Sequence, residues 1–354
     1  MTAESGRWRT IVVRIPNWIG DAVMATPALR ALRVAAPRAR IVAMATGPVC
    51  RLLAGLGSVD EFVTIEPRGR HRGLLGGWRA GVELRRCSPD LFVVLPHSFS
   101  AALIATASRA TTRLGYWTRE RFFLLDVRPR LAMEGLRRRP IPMTRLYLDL
   151  LRAVGIDARD ERLELAISPD EEGRTSAALE RLGIGADEPI AAANPGASFG
   201  SSKLWTVEGF AGTIRGLHER HGWRSLVLCG PGEEELARAI AAAAGPAAID
   251  TSSAPLALEL LKPALRRARL LVTTDTGPRH VATALRTPTV VLMGPTDPRH
   301  TASNLELTRV LRVDVECGPC HLKRCPIDHR CMTSLRADDA LRAAESLLEP
   351  VAAA

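Results

Sequence analysis

The sequence predicts an α/β protein with two doubly wound parallel sheets, one in each half of the chain, and three observations carry that prediction. Short apolar runs alternate with helix-length stretches along almost all of the 354 residues, the rhythm of parallel βαβ units. The rhythm pauses near residues 158–188 and then starts again. Several strand-like runs pass directly into a glycine turn and a helix, at Gly20, Gly230 and Gly277. Parallel sheets hold ligands at such carboxyl-end loops.

In the first half the expected strands are residues 10–15, 40–45, 61–65, 91–95 and 112–115, with helices such as 73–87 and 99–108 between them. The stretch "RIPNWIGDAVMATPALRAL" continues the first strand into a helix with Ala22, Val23, Ala25, Leu29 and Leu32 on its apolar side. A strand-to-helix turn favours anions, because the first N–H groups of a helix point outward. Here an acid, Asp21, occupies the turn, so a phosphate is not its expected ligand.

The join contains "SPDEEGRTSAALERLGIG", where Ser168, Pro169 and three acids start a capped helix. Strands then recur at 189–193, 224–228, 248–251, 270–274 and 289–293, with helices at 207–221, 233–243, 257–267 and 278–286. The expected domains are 1–165, 166–335 and a C-terminal segment 336–354, whose helix at about 337–348 is expected to pack back on the first half. Two similar halves imply a cleft between them, with the chemistry in the loops that follow the strands.

Apolar residues make up 46% and charged residues 24%, as in soluble globular proteins. The formal charge of +10 implies an anionic partner, whether nucleic acid, phosphorylated substrate or acidic membrane. Aromatics at 4% argue against single-stranded nucleic acid, which needs stacking platforms. The start, "MTAESGRWRT", lacks the apolar core of a signal peptide, and no apolar run approaches the roughly 18 residues of a membrane span. A cytoplasmic location is therefore expected, with the seven cysteines as thiols or metal ligands rather than disulfides.

Three loops of the second half carry ligand-binding chemistry. In "LLVTTDTGPRHVATAL" a buried strand ends at Asp275, Thr276 and Gly277 make the turn, and Pro278 opens a helix. Its first N–H groups and the Thr276 hydroxyl suit a pyrophosphate, with His280 in the same turn; Asp275 would accept from a sugar hydroxyl or orient its neighbours. A capped helix with no ligand fits the same spacing. In "NPGASFGSSKLW" small residues, including Ser202, precede a single Lys203, placed for a phosphate contact, and Trp205 reads as a core anchor. In "LCGPGEEELARAI" three acids follow the turn. Two serve the helix dipole and Glu233 is the candidate for ribose hydroxyls.

Together "IPNWIGDAVMATPALRAL", "LPHSFSAAL", "NPGASFGSSKLW", "DTGPRHVATAL", "MGPTDP" and "CGPCHLKRCPIDHRCM" resemble the ADP-heptose lipopolysaccharide heptosyltransferases of glycosyltransferase family nine, most closely the heptosyltransferase II branch. The resemblance implies a GT-B fold, two Rossmann-like domains with acceptor in the first and ADP-heptose in the second. It implies Asp21 as catalytic base and Ser202, Lys203, Glu233, Asp275, Thr276, Gly277 and His280 as donor-binding residues, with an inverting displacement onto an inner-core heptose. The chain departs from the family pattern at His97, where asparagine is expected, and at Leu204, where a basic residue is usual. Heptosyltransferase I acting on Kdo-lipid A, a GT-B nucleotide-sugar epimerase and a non-catalytic nucleotide-sugar-binding protein are the alternatives.

On the acceptor side the expected residues are His97, Ser98, Arg119 and Arg121, the last two within a basic run that continues through Arg128, Arg130 and residues 137–139. Such charge suits a lipid A-core oligosaccharide acceptor and peripheral contact with an anionic membrane surface at the inner face of the inner membrane. No nucleic acid partner is expected. Cys317, Cys320, Cys325 and Cys331, with His321 and His329 among them, are spaced as a candidate structural zinc knuckle or as a thiol-rich loop without metal. No catalytic metal or other cofactor is expected.

Overall fold

The computed structural model describes residues 7–135 and 137–349, apart from the side chain of Arg137. Most of the N-terminal stretch read as lacking a signal peptide, and the last five residues of the C-terminal segment, lie outside the described residues. The chain divides into two compact units, Met1–Ala166 with Arg299–Ser303, and Ile167–Pro298 with Asn304–Ala354.

The first unit contains strands β1 (Thr10–Arg14), β2 (Arg40–Ala45), β3 (Glu61–Thr64), β4 (Leu91–Val94) and β5 (Thr112–Gly115). They form one parallel sheet in the order β3-β2-β1-β4-β5. Every residue of β1 is buried, because helices cover both faces of the sheet. Alternation sends Ile11 and Val13 to one face, against Leu29, Leu32, Leu150 and Leu151, and Val12 to the other, against Ala80, Leu84 and Phe92. The helices are α1 (Ile19–Met24), α2 (Thr26–Ala35), α3 (Gly47–Leu53), α4 (Gly73–Leu84), α5 (Phe99–Ala107) and α6 (Met143–Arg152), and a short hairpin pairs β6 (Met133–Glu134) with β7 (Arg137–Arg138). Helix α4 lies so close to α5 that a Cβ at Gly81 would collide with the Ile104 carbonyl.

The second unit begins with α7 (Pro169–Arg181), where Ser168 and Glu171 form a reciprocal capping box. Its strands are β8 (Ile190–Asn194), β9 (Arg224–Val227), β10 (Ala248–Asp250), β11 (Leu271–Thr274), β12 (Thr289–Leu292) and β13 (Thr308–Leu311). They form a parallel sheet in the order β10-β9-β8-β11-β12-β13, the doubly wound Rossmann order. Helices α8 (Val207–His221), α9 (Glu234–Ala244), α10 (Leu258–Arg267), α11 (Gly277–Ala284), α12 (Arg330–Thr333) and α13 (Ala337–Leu348) complete it. Trp205 is buried, its indole N–H donating to the Leu335 carbonyl at 3.1 Å and its ring edge-on to Phe210.

Two expectations change here. The edge strand β13 was not anticipated. Helix α13 was expected to return to the first half, but it buries Ala340, Leu341 and Ala344 in the core of the second unit. Leu341 fills the space left by Gly216 on α8, and burying a leucine contributes about 1.5–3 kcal/mol. Among the described residues no helix is long and apolar enough to cross a membrane.

Candidate active site

Strand order reverses between β1 and β4 in the first unit and between β8 and β11 in the second. Such switch points leave a crevice at the carboxyl ends of the strands. In the first unit a cavity of about 590 Å³ opens there, and Arg14, Asn17, Asp21, His97, Arg138 and Tyr147 are among its lining residues. Asp21 sits in the first turn of α1, partly exposed. Tyr147 is buried, and its phenol is held well above its ordinary pKa by that burial and then by the negative charge of Asp21. Asp21 thus lies close enough to Tyr147 to act on its phenol across the cavity wall.

Arg14 closes the floor. Its guanidinium donates to the Ile15 and Met44 carbonyls and to Asn17 Oδ1 at 2.6 Å, and burial lowers its pKa to about 10. His97 follows β4. Its Nδ1 accepts from Arg138 Nη1 at 3.3 Å, and its ring packs edge-on to Tyr116. Burial, then Arg138 and Arg121, push its pKa down to about 4, so His97 is neutral near pH 7. Ser98 caps α5, its hydroxyl accepting from the Ala101 N–H at 3.3 Å.

The two arginines expected beside them part company. Arg119 is exposed and does not line the cavity. Arg121 is fully buried, and it donates to the Pro96 carbonyl at 2.6 Å and the Tyr116 carbonyl at 2.8 Å. Its charge stiffens the loop that carries His97 and Ser98, and its assignment as an acceptor contact is corrected to that supporting role.

Sequence reasoning missed Arg14, His71 and Tyr147. His71 has a fixed tautomer: Nδ1 accepts from the Glu66 N–H at 3.0 Å, which leaves Nε2 to donate to Glu83 Oε2 at 3.3 Å. The signal was "PRGRHRGLLGGW", a basic run leading into an apolar pair, and it frames the cavity through Pro67, His71, Gly73 and Leu74.

In the second unit, Thr276 is the N-cap of α11 but makes no side-chain cap bond. Its Oγ1 accepts instead from Asn194 Nδ2 at 3.1 Å. The first N–H groups of α11 therefore receive no side-chain cap from it, and a helix N-terminus of this kind favours an anion. Behind it lies a buried charge cluster. Lys203 Nζ donates to Asp275 Oδ2 at 2.8 Å and to the Asp275 carbonyl at 2.7 Å. Arg279 Nη1 donates to Oδ1 at 2.9 Å, and Thr296 Oγ1 to Oδ2 at 2.8 Å. Burial opposes ionisation of Asp275, but the two cations outweigh it and hold the carboxyl far below the usual range. With both oxygens engaged, Asp275 organises its neighbours. His280 is buried, and its pKa falls to about 3, chiefly from desolvation.

Gly277 begins α11. Glu233 turns its carboxylate back to accept from the Gly230 N–H at 2.9 Å. Gly196 makes room for it, since a Cβ there would collide with that carboxylate. Lys203, Asp275, Thr276 and His280 thus share one cluster, and Glu233 closes the neighbouring loop. Replacing Lys203 by alanine is expected to weaken ADP binding by about 1.5–3 kcal/mol, the range for a charge-assisted hydrogen bond; calorimetry with ADP checks it.

Ser202 belongs elsewhere. It is buried, its N–H donates to the Lys323 carbonyl at 3.1 Å, its hydroxyl donates to the Leu322 carbonyl, and its own carbonyl accepts from His329 Nε2 at 2.7 Å. The cysteine-rich segment is therefore a strap, fastened also by the His321 N–H to the Pro295 carbonyl at 2.9 Å. Ser202 anchors this strap, which corrects its assignment as a donor contact. Gly200 passes beneath it at φ +152°, where a Cβ would strike the Lys323 carbonyl. Gly200→Ala is accordingly expected to cost about 1–3 kcal/mol of stability and to loosen ADP binding, readable together by thermal melts with and without ADP. Cys331 is buried, with its thiol pushed up by desolvation and then by Cys325, Cys317 and Cys320. Among the described residues no group of three or more His, Cys, Asp or Glu side chains is gathered to hold a metal ion.

The family profile described as Glycosyltransferase family 9 (heptosyltransferase) matches residues 78–330. Lipopolysaccharide heptosyltransferase 2 of Escherichia coli (strain K12) is 28% identical over 292 residues, covering 79% of this chain and 81% of that protein. The solved structure of E. coli ADP-heptose lps heptosyltransferase II superposes with a TM-score of 0.78 at 24% identity, covering 96% of this chain and 98% of that one. A family 9 glycosyl transferase from Veillonella parvula DSM 2008 gives 0.83 at 22% identity, covering 98% and 99%. These two likenesses show the fold: each unit is one of the Rossmann-like halves expected of a GT-B enzyme.

Proposed function

Because this chain belongs to glycosyltransferase family 9, the heptosyltransferases, we propose that it moves heptose from ADP-heptose to an inner-core heptose of lipopolysaccharide in one inverting displacement. The observation that carries this reading is the placement of Asp21: an acid on the switch-point helix of the first unit, lining a cavity that also holds arginines. There a carboxylate can accept the proton of an acceptor hydroxyl as its oxygen attacks the anomeric carbon. The bond from that carbon to the pyrophosphate breaks, and ADP carries the electron pair away. Lys203 and the first N–H groups of α11 stabilise the departing charge. His280, neutral by burial, adds no positive charge there.

The exposed face of α4 supports peripheral contact with an anionic membrane surface. Leu74, Leu75 and Trp78 stand out from it, Leu75 at 88% exposure, beside the exposed Arg70, Arg72 and Arg79. Apolar side chains ringed by arginines suit the boundary between headgroups and acyl chains.

Incubation with ADP-heptose, with and without a heptosylated inner-core acceptor, tests the reaction. Release of ADP with an acceptor extended by one heptose, seen only when acceptor is present, is the expected result. Altered sugar nucleotide without acceptor would mark an epimerase, and transfer to Kdo-lipid A lacking heptose would mark heptosyltransferase I. Binding without turnover would mark a carrier.

A further inference from the structure

We propose that the cavity of the first unit contains a subsite for one oxyanionic group of the acceptor, a carboxylate or a phosphate, with Arg138 as its binding residue and His97 as the residue that positions Arg138. The proposal rests on the reading of this cavity as the acceptor site and names the group it recognises.

The charge balance of the cavity points that way. Among the described residues its lining holds two guanidiniums, Arg14 and Arg138, and one carboxylate, Asp21. Arg14 is occupied by two carbonyls and Asn17. His71 is held between the Glu66 backbone and Glu83. Arg138 is half-buried, and among the described residues no carboxylate pairs with it. Its partner is the ring nitrogen of His97 at 3.3 Å. Removing a cation from water without an acid beside it is costly, so such a group is normally met by an anion. Desolvation depresses the pKa of Arg138, opposed only by the smaller contributions of Tyr116 and Tyr147.

The contact with His97 explains how the guanidinium is aimed. Nδ1 accepts from Nη1, so the ring is the tautomer protonated at Nε2. This engages one nitrogen of the fork and leaves the Nε–Nη2 edge, the edge that meets a carboxylate or phosphate side-on through two parallel bonds. A neutral acceptor suits this task, because a carboxylate in place of His97 would neutralise Arg138 and compete with the ligand. Arg121, Tyr116 and Ser98 surround His97 without offering Arg138 an acid. An asparagine carbonyl, like the ring nitrogen, is a neutral acceptor that would hold Nη1.

The test compares acceptor kinetics and acceptor binding in four proteins: wild type, Arg138→Gln, His97→Ala and His97→Asn. On an inner-core oligosaccharide bearing both carboxylates and phosphates, Arg138→Gln is expected to raise the acceptor KM about 10- to 100-fold, a charge-assisted bidentate contact being lost. The effect on kcat is much smaller, and ADP affinity and Tm stay at wild-type values. His97→Ala gives a weaker effect in the same direction, and His97→Asn restores most of it, which a packing role for the ring would not. Methyl-esterified and dephosphorylated forms of the oligosaccharide identify the source: the one on which wild type and Arg138→Gln become equal has lost the recognised group. Calorimetric binding of the same oligosaccharides without donor reads the subsite independently of turnover. If wild type fails to transfer heptose yet binds the anionic oligosaccharide more tightly than Arg138→Gln does, the activity falls and the subsite stands. Equal binding and equal KM for wild type and Arg138→Gln overturn the subsite, as does a gap that survives removal of both anionic groups.

Discussion

Replacing Asp21 by asparagine is expected to leave ADP binding intact and to lower turnover by about 10²-fold or more, the range for a lost general base, the role proposed for it above. The substitution keeps the size of the side chain and removes only its capacity to take a proton. Asp21 lies in the unit that carries the cavity with Arg14 and Arg138, whereas the Lys203–Asp275 cluster lies in the other unit. ADP affinity and turnover therefore separate in this variant. Steady-state rates with saturating ADP-heptose, beside calorimetry with ADP, make the comparison. Turnover within a few-fold of wild type would remove Asp21 from the proton transfer.

The second large effect is on stability. Asp275→Asn is expected to destabilise the protein by about 3–5 kcal/mol, the cost of breaking a buried ion pair from one side. Lys203 and Arg279 both lose their carboxylate and stay where little water reaches them, their side chains 12% and 3% exposed. The pH dependence follows from the direction of the shift. The folded carboxyl is held below its unfolded value of about 3.9, so its contribution is fully present above that pH. It is lost as pH falls from there through the folded value. Acid titration of unfolding should therefore show wild type losing its advantage over Asp275→Asn only below about pH 4. A gap that is constant down to pH 2 would rule out ionisation of Asp275 as its source.

Much of the fold was legible because parallel strands covered on both faces are continuous apolar runs, as β1 and β4 are. Strand β13 escaped because an edge strand is half-covered; Arg309 on it is exposed and interrupts the pattern. The candidate loops were legible as small residues and glycines between strand and helix. What each side chain does there was harder to read, because burial is decided by partners distant in sequence. Ser202 sits one residue from Lys203, yet its hydroxyl is used 120 positions away at Leu322. Arg121 looks like Arg119 in a basic run, but loop carbonyls 23 and 25 residues earlier claim its guanidinium. Arg138 and His97 meet across 41 positions, and nothing local to either announces the other.

The pairing of Lys203 with Asp275 has a consequence for selectivity. A cell holds inorganic phosphate in abundance, and a bare lysine at a helix N-terminus would be blocked by it for much of the time. Here the ammonium is already engaged by a carboxylate and a carbonyl, so a small anion must displace those bonds for the sake of one contact. A sugar nucleotide brings a pyrophosphate, a ribose and a base together, and can offset the displacement through several contacts at once. With Lys203 holding the donor as proposed, the resting ion pair would set a threshold that favours large polyvalent ligands over common small ones before any ligand arrives.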